Sequence, residues 1–119
     1  MEENSNNRPY DLEERTFLFA RDVAIFCKKL PKAEANLIYS RQVIRSSGSV
    51  GANYIEANEC LGKKDFKMKI KTCRKEAKES AYWLRLIMAV NNEGIYKEAL
   101  ILYNEAVELK KIFSSIANK

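Results

Sequence analysis

Two pairs of carboxylates stand at helical spacing in this chain, Glu56-x-x-Glu59 and Glu76-x-x-Glu79. Acids three residues apart share one side of a helix, and bundles that hold paired iron ions use such groups. Those sites also need two Glu-x-x-His motifs, and the 119 residues contain no histidine. The same lack removes the usual general base and the histidine-assisted serine and cysteine nucleophiles. Glu76 and Glu79 also fall off the apolar line of their helix. No metal, cofactor or reaction is therefore expected. The acids are read as partners of basic side chains. Arg41, Arg45, Glu56, Glu59 and Glu79 become candidates for ion pairs between helices or between subunits, with Arg74 and Lys78 as further basic partners.

The run Ser46-Ser47-Gly48-Ser49-Val50-Gly51 has the small residues of a phosphate-cradling loop. It lacks the Gly-Lys-Ser/Thr ending and a preceding strand, so packing is the better reading. Leu37, Ile44, Gly48, Gly51 and Ile55 keep helical spacing straight through it and predict the core line of a helix from about residue 35 to 60. Glycine inside a helix costs up to about 1 kcal/mol against alanine. Gly48 and Gly51, with Ala52 beside them, are accordingly assigned to close approach of a neighbouring helix. A second apolar line runs through Val43, Val50, Tyr54, Ala57 and Leu61. A monomeric bundle buries one stripe per helix, so this second line is assigned to contact with another subunit. Leu18 and Ile25, seven residues apart and rimmed by charge on the outer face of the first helix, join Val43, Val50 and Tyr54 as candidate oligomer contacts.

Four helices are needed to position these residues. Asp11 and Glu14 form a capping-box variant that predicts the start of the first helix. Leu12, Thr16, Phe19, Val23, Phe26 and Leu30 follow at steps of four and three, and Pro31 ends it. Gly62 breaks the chain after the second helix, and Asp65 suits the first turn of the third. There Phe66, Ile70, Cys73, Ala77, Ser80, Leu84, Ile87 and Asn91 step four and three over about seven turns. After the turn at 91–94, Ile95, Ala99, Leu102, Ala106, Leu109, Phe113 and Ile116 define the fourth seam. Short connections and no strand signal predict an all-α, up-down-up-down antiparallel four-helix bundle over residues 11–119, preceded by a frayed segment over 1–10.

Charge is unevenly placed. Residues 1–62 carry eight basic and nine acidic side chains, and residues 63–119 carry thirteen and seven, within a formal net charge of +5. Much of the excess lies on one row of the third helix: Lys64, Lys67, Lys71, Arg74, Lys78 and Arg85. Such a row suits the phosphates of RNA or DNA, and it also suits a solvated face whose lysine stems cover apolar surface. Trp83 with Leu86 and Val90 reads as packing. The three cysteines, Cys27, Cys60 and Cys73, are odd in number and lack metal spacing, which predicts free, buried thiols in a reducing cytoplasm. The first ten residues are polar, so no secretory signal is expected, and no apolar run reaches the ~20 residues of a membrane span.

RQVIRSSGSVGANYIEANE over residues 41–59, KKDF over 63–66 and CRKEAKESAYWLRLI over 73–87 resemble the four helix bundle protein family, whose first members are encoded by intervening sequences in bacterial large-subunit ribosomal RNA genes. The resemblance covers nearly the whole chain from Leu12 through the third helix. It implies a small, cytoplasmic, helical protein that assembles as a homo-pentamer. A related branch, accessory proteins of diversity-generating retroelements, forms a basic pentameric barrel that contacts a reverse transcriptase and nucleic acid. Gly62 stands where relatives commonly carry a capping serine, which weakens that cap by a few tenths of a kcal/mol. The expectation is a non-enzymatic oligomeric scaffold or adaptor that docks a partner protein such as a reverse transcriptase. The alternative is weak, sequence-nonspecific RNA or DNA binding by the basic row.

Overall fold

The computed structural model describes residues 9–119, with side chains from Leu12 onward. It consists of α1 (Pro9–Lys28), α2 (Glu34–Asn58), α3 (Lys63–Val90) and α4 (Glu93–Ala117). Each helix packs on its neighbours in chain order, α4 returns to α1, and the backbones of the diagonal pairs stay apart. This is the four-helix bundle that the periodicities predict, with no strand among the described residues. Asp11 sits inside α1 rather than ahead of it, as do Pro9 and Tyr10 of the segment over 1–10 expected to be frayed, and residues 1–8 lie outside the described residues. The chain leaves α1 at Lys28, two residues before the Leu30–Pro31 stop. At the same end of the bundle the Asn92 side chain caps α4, accepting the Ile95 N–H at 3.0 Å.

Three of the four seams are buried as their spacing requires. Thr16, Phe19, Val23 and Phe26 of α1 face inward, as do Ile70, Cys73, Ala77, Ser80, Leu84 and Ile87 of α3 and Ala99, Leu102, Ala106, Leu109 and Phe113 of α4. α3 is the centre of the fold, because its inner face meets both α2 and α4 most extensively. The α1–α4 contact is the slightest of the four and is bridged by Arg15–Glu105 at 2.6 Å and Lys29–Glu98 at 2.9 Å.

α2 is turned relative to the expectation. Leu37 is 51% exposed, Ile44 44% and Ile55 51%, so the line assigned to the core faces outward. Val43, Val50, Tyr54 and Ala57, assigned with Leu61 to contact with another subunit, lie in the monomer's own core, and Leu61 is exposed. The Tyr54 ring packs on Phe113 of α4 with centroids 5.8 Å apart. Tertiary pairing explains the rotation. Ser46 and Ser80 are both fully buried, and their hydroxyls meet at 2.7 Å across the α2–α3 seam. The Val43–Val50–Tyr54 side of α2 carries the buried Ser46 and Ser47, which are small enough for this approach and offer hydroxyls to it. Two side-chain amides extend the same antiparallel register. Asn36 and Asn91 bond reciprocally at 3.0 and 2.8 Å, and each also donates to a main-chain carbonyl, of Pro31 and Ile87 respectively.

The packing residues divide accordingly. Gly51 faces α1, where an added Cβ would lie 2.9 Å from Thr16 Oγ1 and 3.3 Å from Thr16 Cβ. Thr16 cannot give way easily, since its hydroxyl donates to the Leu12 and Glu13 carbonyls and the residue is buried. Gly48 has nothing within 4 Å of such a Cβ, and Ala52 is exposed. Neither packs between helices, because both lie on the outward side of α2. Gly51→Leu should therefore destabilise the fold by about 1–3 kcal/mol through overpacking. Gly48→Ala should stabilise it by about 0.4–1 kcal/mol, since an exposed helical glycine is replaced by the better helix former. Chemical denaturation of the two variants beside wild type measures both, and shifts of the same sign would contradict this placement.

Candidate functional site

Two charged systems lie on α3, on different sides. On the flank facing α2, Arg45 reaches across and donates through Nη2 to Glu79 Oε2 at 2.7 Å and to Glu76 Oε1 at 3.3 Å. Glu76 is only 9% exposed, and the turn of α2 that buries Ser46 brings Arg45 over it. Trp83 donates its indole N–H to Glu79 Oε2 at 3.2 Å, so two donors converge on that carboxylate. Burial pushes the Glu79 carboxyl up, but hydrogen bonds from Trp83 and Arg45, with the charges of Arg45 and Lys75, hold it below the ordinary glutamate value. About two turns before Glu76, nearer the start of α3, Lys69 bonds Glu56 at 2.6 Å. Arg45, Glu56 and Glu79 thus serve helix–helix pairing within one chain. Arg41 and Glu59 are exposed on the outer face of α2 and form no ion pair among the described residues, which corrects their assignment to pairing between helices.

On the outer side of α3 the basic row is displayed. Lys71, Arg74 and Lys78, with Lys75 beside them, line a shallow groove of about 510 Å³ together with Met68 and Thr72. Lys110 and Ser114 of α4 form its opposite wall. No acidic residue lines it. Among the described residues none of Lys64, Lys67, Lys71, Arg74, Lys75, Lys78 or Arg85 forms an ion pair, so the arginines are not neutralised by Glu59 or Glu76. Lys67 donates to the Lys119 carbonyl oxygen at 3.3 Å. Lys64 and Arg85 belong to the same exposed side and lie beyond the groove. Like charges three and four residues apart repel by a few tenths of a kcal/mol per pair, and here no internal counter-charge relieves them. The arrangement can accommodate an anion that spans several side chains.

Sequence reasoning missed Lys75 and Lys110. Lys75 follows Lys71 by one turn and was legible as a second row beside the first. Lys110 belongs to another helix and joins the site only through the α3–α4 packing. The three thiols are free as expected, but only Cys73 is fully buried. Desolvation pushes its thiol up to about 12, which leaves it protonated and unreactive at neutral pH. Ile25 is exposed and Leu18 half-buried, and Ile25 borders a smaller groove of about 220 Å³ between α1 and α4.

The chain is similar to known proteins over nearly its whole length. The family described as 23S rRNA-intervening sequence protein matches residues 10–115. A crystal structure of a protein of unknown function from the S23 ribosomal protein family of Bacteroides thetaiotaomicron VPI-5482 superposes with a TM-score of 0.79 at 28% identity, over 90% of this chain and 98% of that one. A search of curated proteins gives no match.

Two measurements follow from the flank facing α2. Arg45→Ala strands Glu76 without its partner and should cost about 1–2 kcal/mol, between the values for exposed and buried pairs, whereas Lys69→Ala, at a solvated pair, should cost less. Because the Glu79 carboxyl is held low, its stabilisation is present above the ordinary glutamate range and is lost as pH falls through the lowered value. The stability gap between wild type and Glu79→Gln should therefore close on acidification, as read by denaturant unfolding across that range. In native protein at mildly alkaline pH, iodoacetamide should modify Cys60 before Cys73, with peptide mass mapping as the readout.

Proposed function

The chain belongs to the 23S rRNA-intervening sequence protein family, and from that footing we propose that it is a non-enzymatic binding protein whose α3–α4 groove takes the phosphate backbone of RNA or DNA. The observation that carries this reading is the unneutralised row itself: five cationic side chains around one groove, with no acid among its lining residues. Phosphates suit such a row because each Lys or Arg contact releases condensed counterions, and the gain needs no particular base sequence. The affinity should accordingly be modest, fall steeply with salt and discriminate little between sequences. The reducing cytoplasm expected from three unpaired thiols is the compartment in which such a partner is met.

A second reading concerns assembly and rests on the outer face of α2. Leu37, Ile44 and Ile55 are exposed there in one line with Gly48, beside Arg41, Ala52 and Glu59. A helix apolar on two sides suits burial on two sides. This face is the surface on which a homo-pentamer or a docked partner protein, a reverse transcriptase among the choices, would form, and the exposed Ile25 on the α4 side of α1 is a separate candidate contact. In a ring the basic rows would repeat around a common axis and strengthen the field felt by a polyanion.

Titration of generic RNA and of duplex DNA should show binding that weakens roughly a hundredfold between about 50 and 200 mM salt if about four phosphates are engaged. The triple variant Lys71→Glu, Lys75→Glu, Lys78→Glu should abolish it while keeping the wild-type melting temperature. Absence of binding at low salt, or equal binding by the charge-reversed protein, would leave the row a solvated face. Light scattering tests assembly: a mass several times the 13.7 kDa of one chain is expected, lowered by Ile44→Asp. A 13.7 kDa wild-type species at micromolar concentration would remove this reading.

A further inference from the structure

The basic row contains one aromatic side chain. Lys71, Lys75, Lys78, Tyr82 and Arg85 follow one another at steps of four, three, four and three along the outer side of α3. Residues at that spacing are neighbours on a helix surface, so Tyr82 stands between Lys78 and Arg85 rather than on a separate face. Its ring is 53% exposed. It is also braced from behind. Tyr82 meets Trp83 edge-on, with centroids 5.4 Å apart and planes at 67°. Trp83 in turn packs on Tyr39 of α2 at 5.9 Å and is tied to Glu79 by its indole N–H. An exposed aromatic ring held by a second ring and a hydrogen bond loses little freedom when something stacks on it.

We propose that the ligand of this face is a single-stranded polynucleotide, with Tyr82 as the platform on which one unpaired base stacks while Lys71, Lys75, Lys78 and Arg85 hold the phosphates on either side. The inference rests on the nucleic-acid reading above and narrows it. Single strands are bound by this combination, a cationic track for the backbone and an aromatic face for the bases. In a duplex the base faces are covered by their neighbours in the stack, and a tyrosine on a flat helical surface cannot reach them. Every base offers a π-face, so stacking adds affinity without demanding a sequence. An apolar packing role does not account for Tyr82, since more than half of the ring is open to solvent.

The test uses the full chain with fluorescently labelled RNA and DNA dodecamers, each presented single-stranded and as a duplex. Binding is read by anisotropy at low salt for wild type, Tyr82→Ala and Tyr82→Phe. The expected result is tighter binding of the single strands, a loss between about fivefold and a hundredfold on Tyr82→Ala for single strands alone, and retention by Tyr82→Phe, which keeps the ring. Thermal unfolding of Tyr82→Ala, a change at an exposed helical position, controls for folding. If both forms bind but Tyr82→Ala binds single strands as wild type does, or weakens both forms equally, the stacking inference is overturned and the phosphate groove stands. If neither form binds wild type at low salt, the groove reading fails and the inference with it.

Discussion

The pair of serine hydroxyls between α2 and α3 is the contact on which much else depends. Ser46 and Ser80 are fully buried and meet at 2.7 Å, and Ser80 also donates to the Glu76 carbonyl at 2.9 Å. Side chains this small let two helices come close. Polar ones add a condition, because a buried hydroxyl left without a partner costs about 1–3 kcal/mol. A slide or a rotation of either helix would break the pair on both sides. The register so fixed also places Arg45 over Glu76 and Glu79, Glu56 against Lys69, and the Asn36 amide on that of Asn91. Alternative rotations of α2 would bury a comparable set of apolar groups. The hydroxyl and amide pairs are what distinguish the observed one.

Once α2 is set, the remaining surfaces are determined. Its outer side must carry Leu37, Ile44 and Ile55, although they are as apolar as the residues inside. The flank of α3 facing α2 collects the acids, each answered by a cation from α2 or by Trp83. The charged side chains left on the outer side of α3 are cations. The segregation sets the field of this face: Glu76 and Glu79 interleaved among the same cations would offset part of their charge. By answering these acids with Arg45, the fold keeps them away from the groove. The helix-pairing chemistry and the binding chemistry are therefore linked through one helix with two differently charged sides.

The glycines separate two roles that look identical in the sequence. Gly51 is where α1 passes close enough that Thr16 occupies the space of a side chain. Gly48, three residues earlier, faces open space. Both lie in the same unbroken helix, and neither needs unusual backbone angles. What differs is the presence of a neighbour, which belongs to the packing and not to the residue.

The sequence by itself determined the number of helices, their approximate ends, the inward faces of α1, α3 and α4, the uneven charge and the row of cations on α3. These are properties of single helices. A period of three and four with one apolar line has one way to face the core, and glycine, proline and asparagine mark where each helix stops. Tertiary structure alone decided which side of α2 is inside. Two apolar lines of similar strength give periodicity no means of choosing, and the choice falls to what α3 and α1 present: Ser80, Glu76 and Thr16. The signal was present but weak. Val43, Ser47, Val50, Tyr54 and Ala57 step four and three without interruption, while Leu37 to Ile55 is interrupted by Arg41. Tertiary structure also brought Lys110 to Lys71 and Lys78, and Arg45 to Glu76, since helices distant in sequence share no period that could announce their contact.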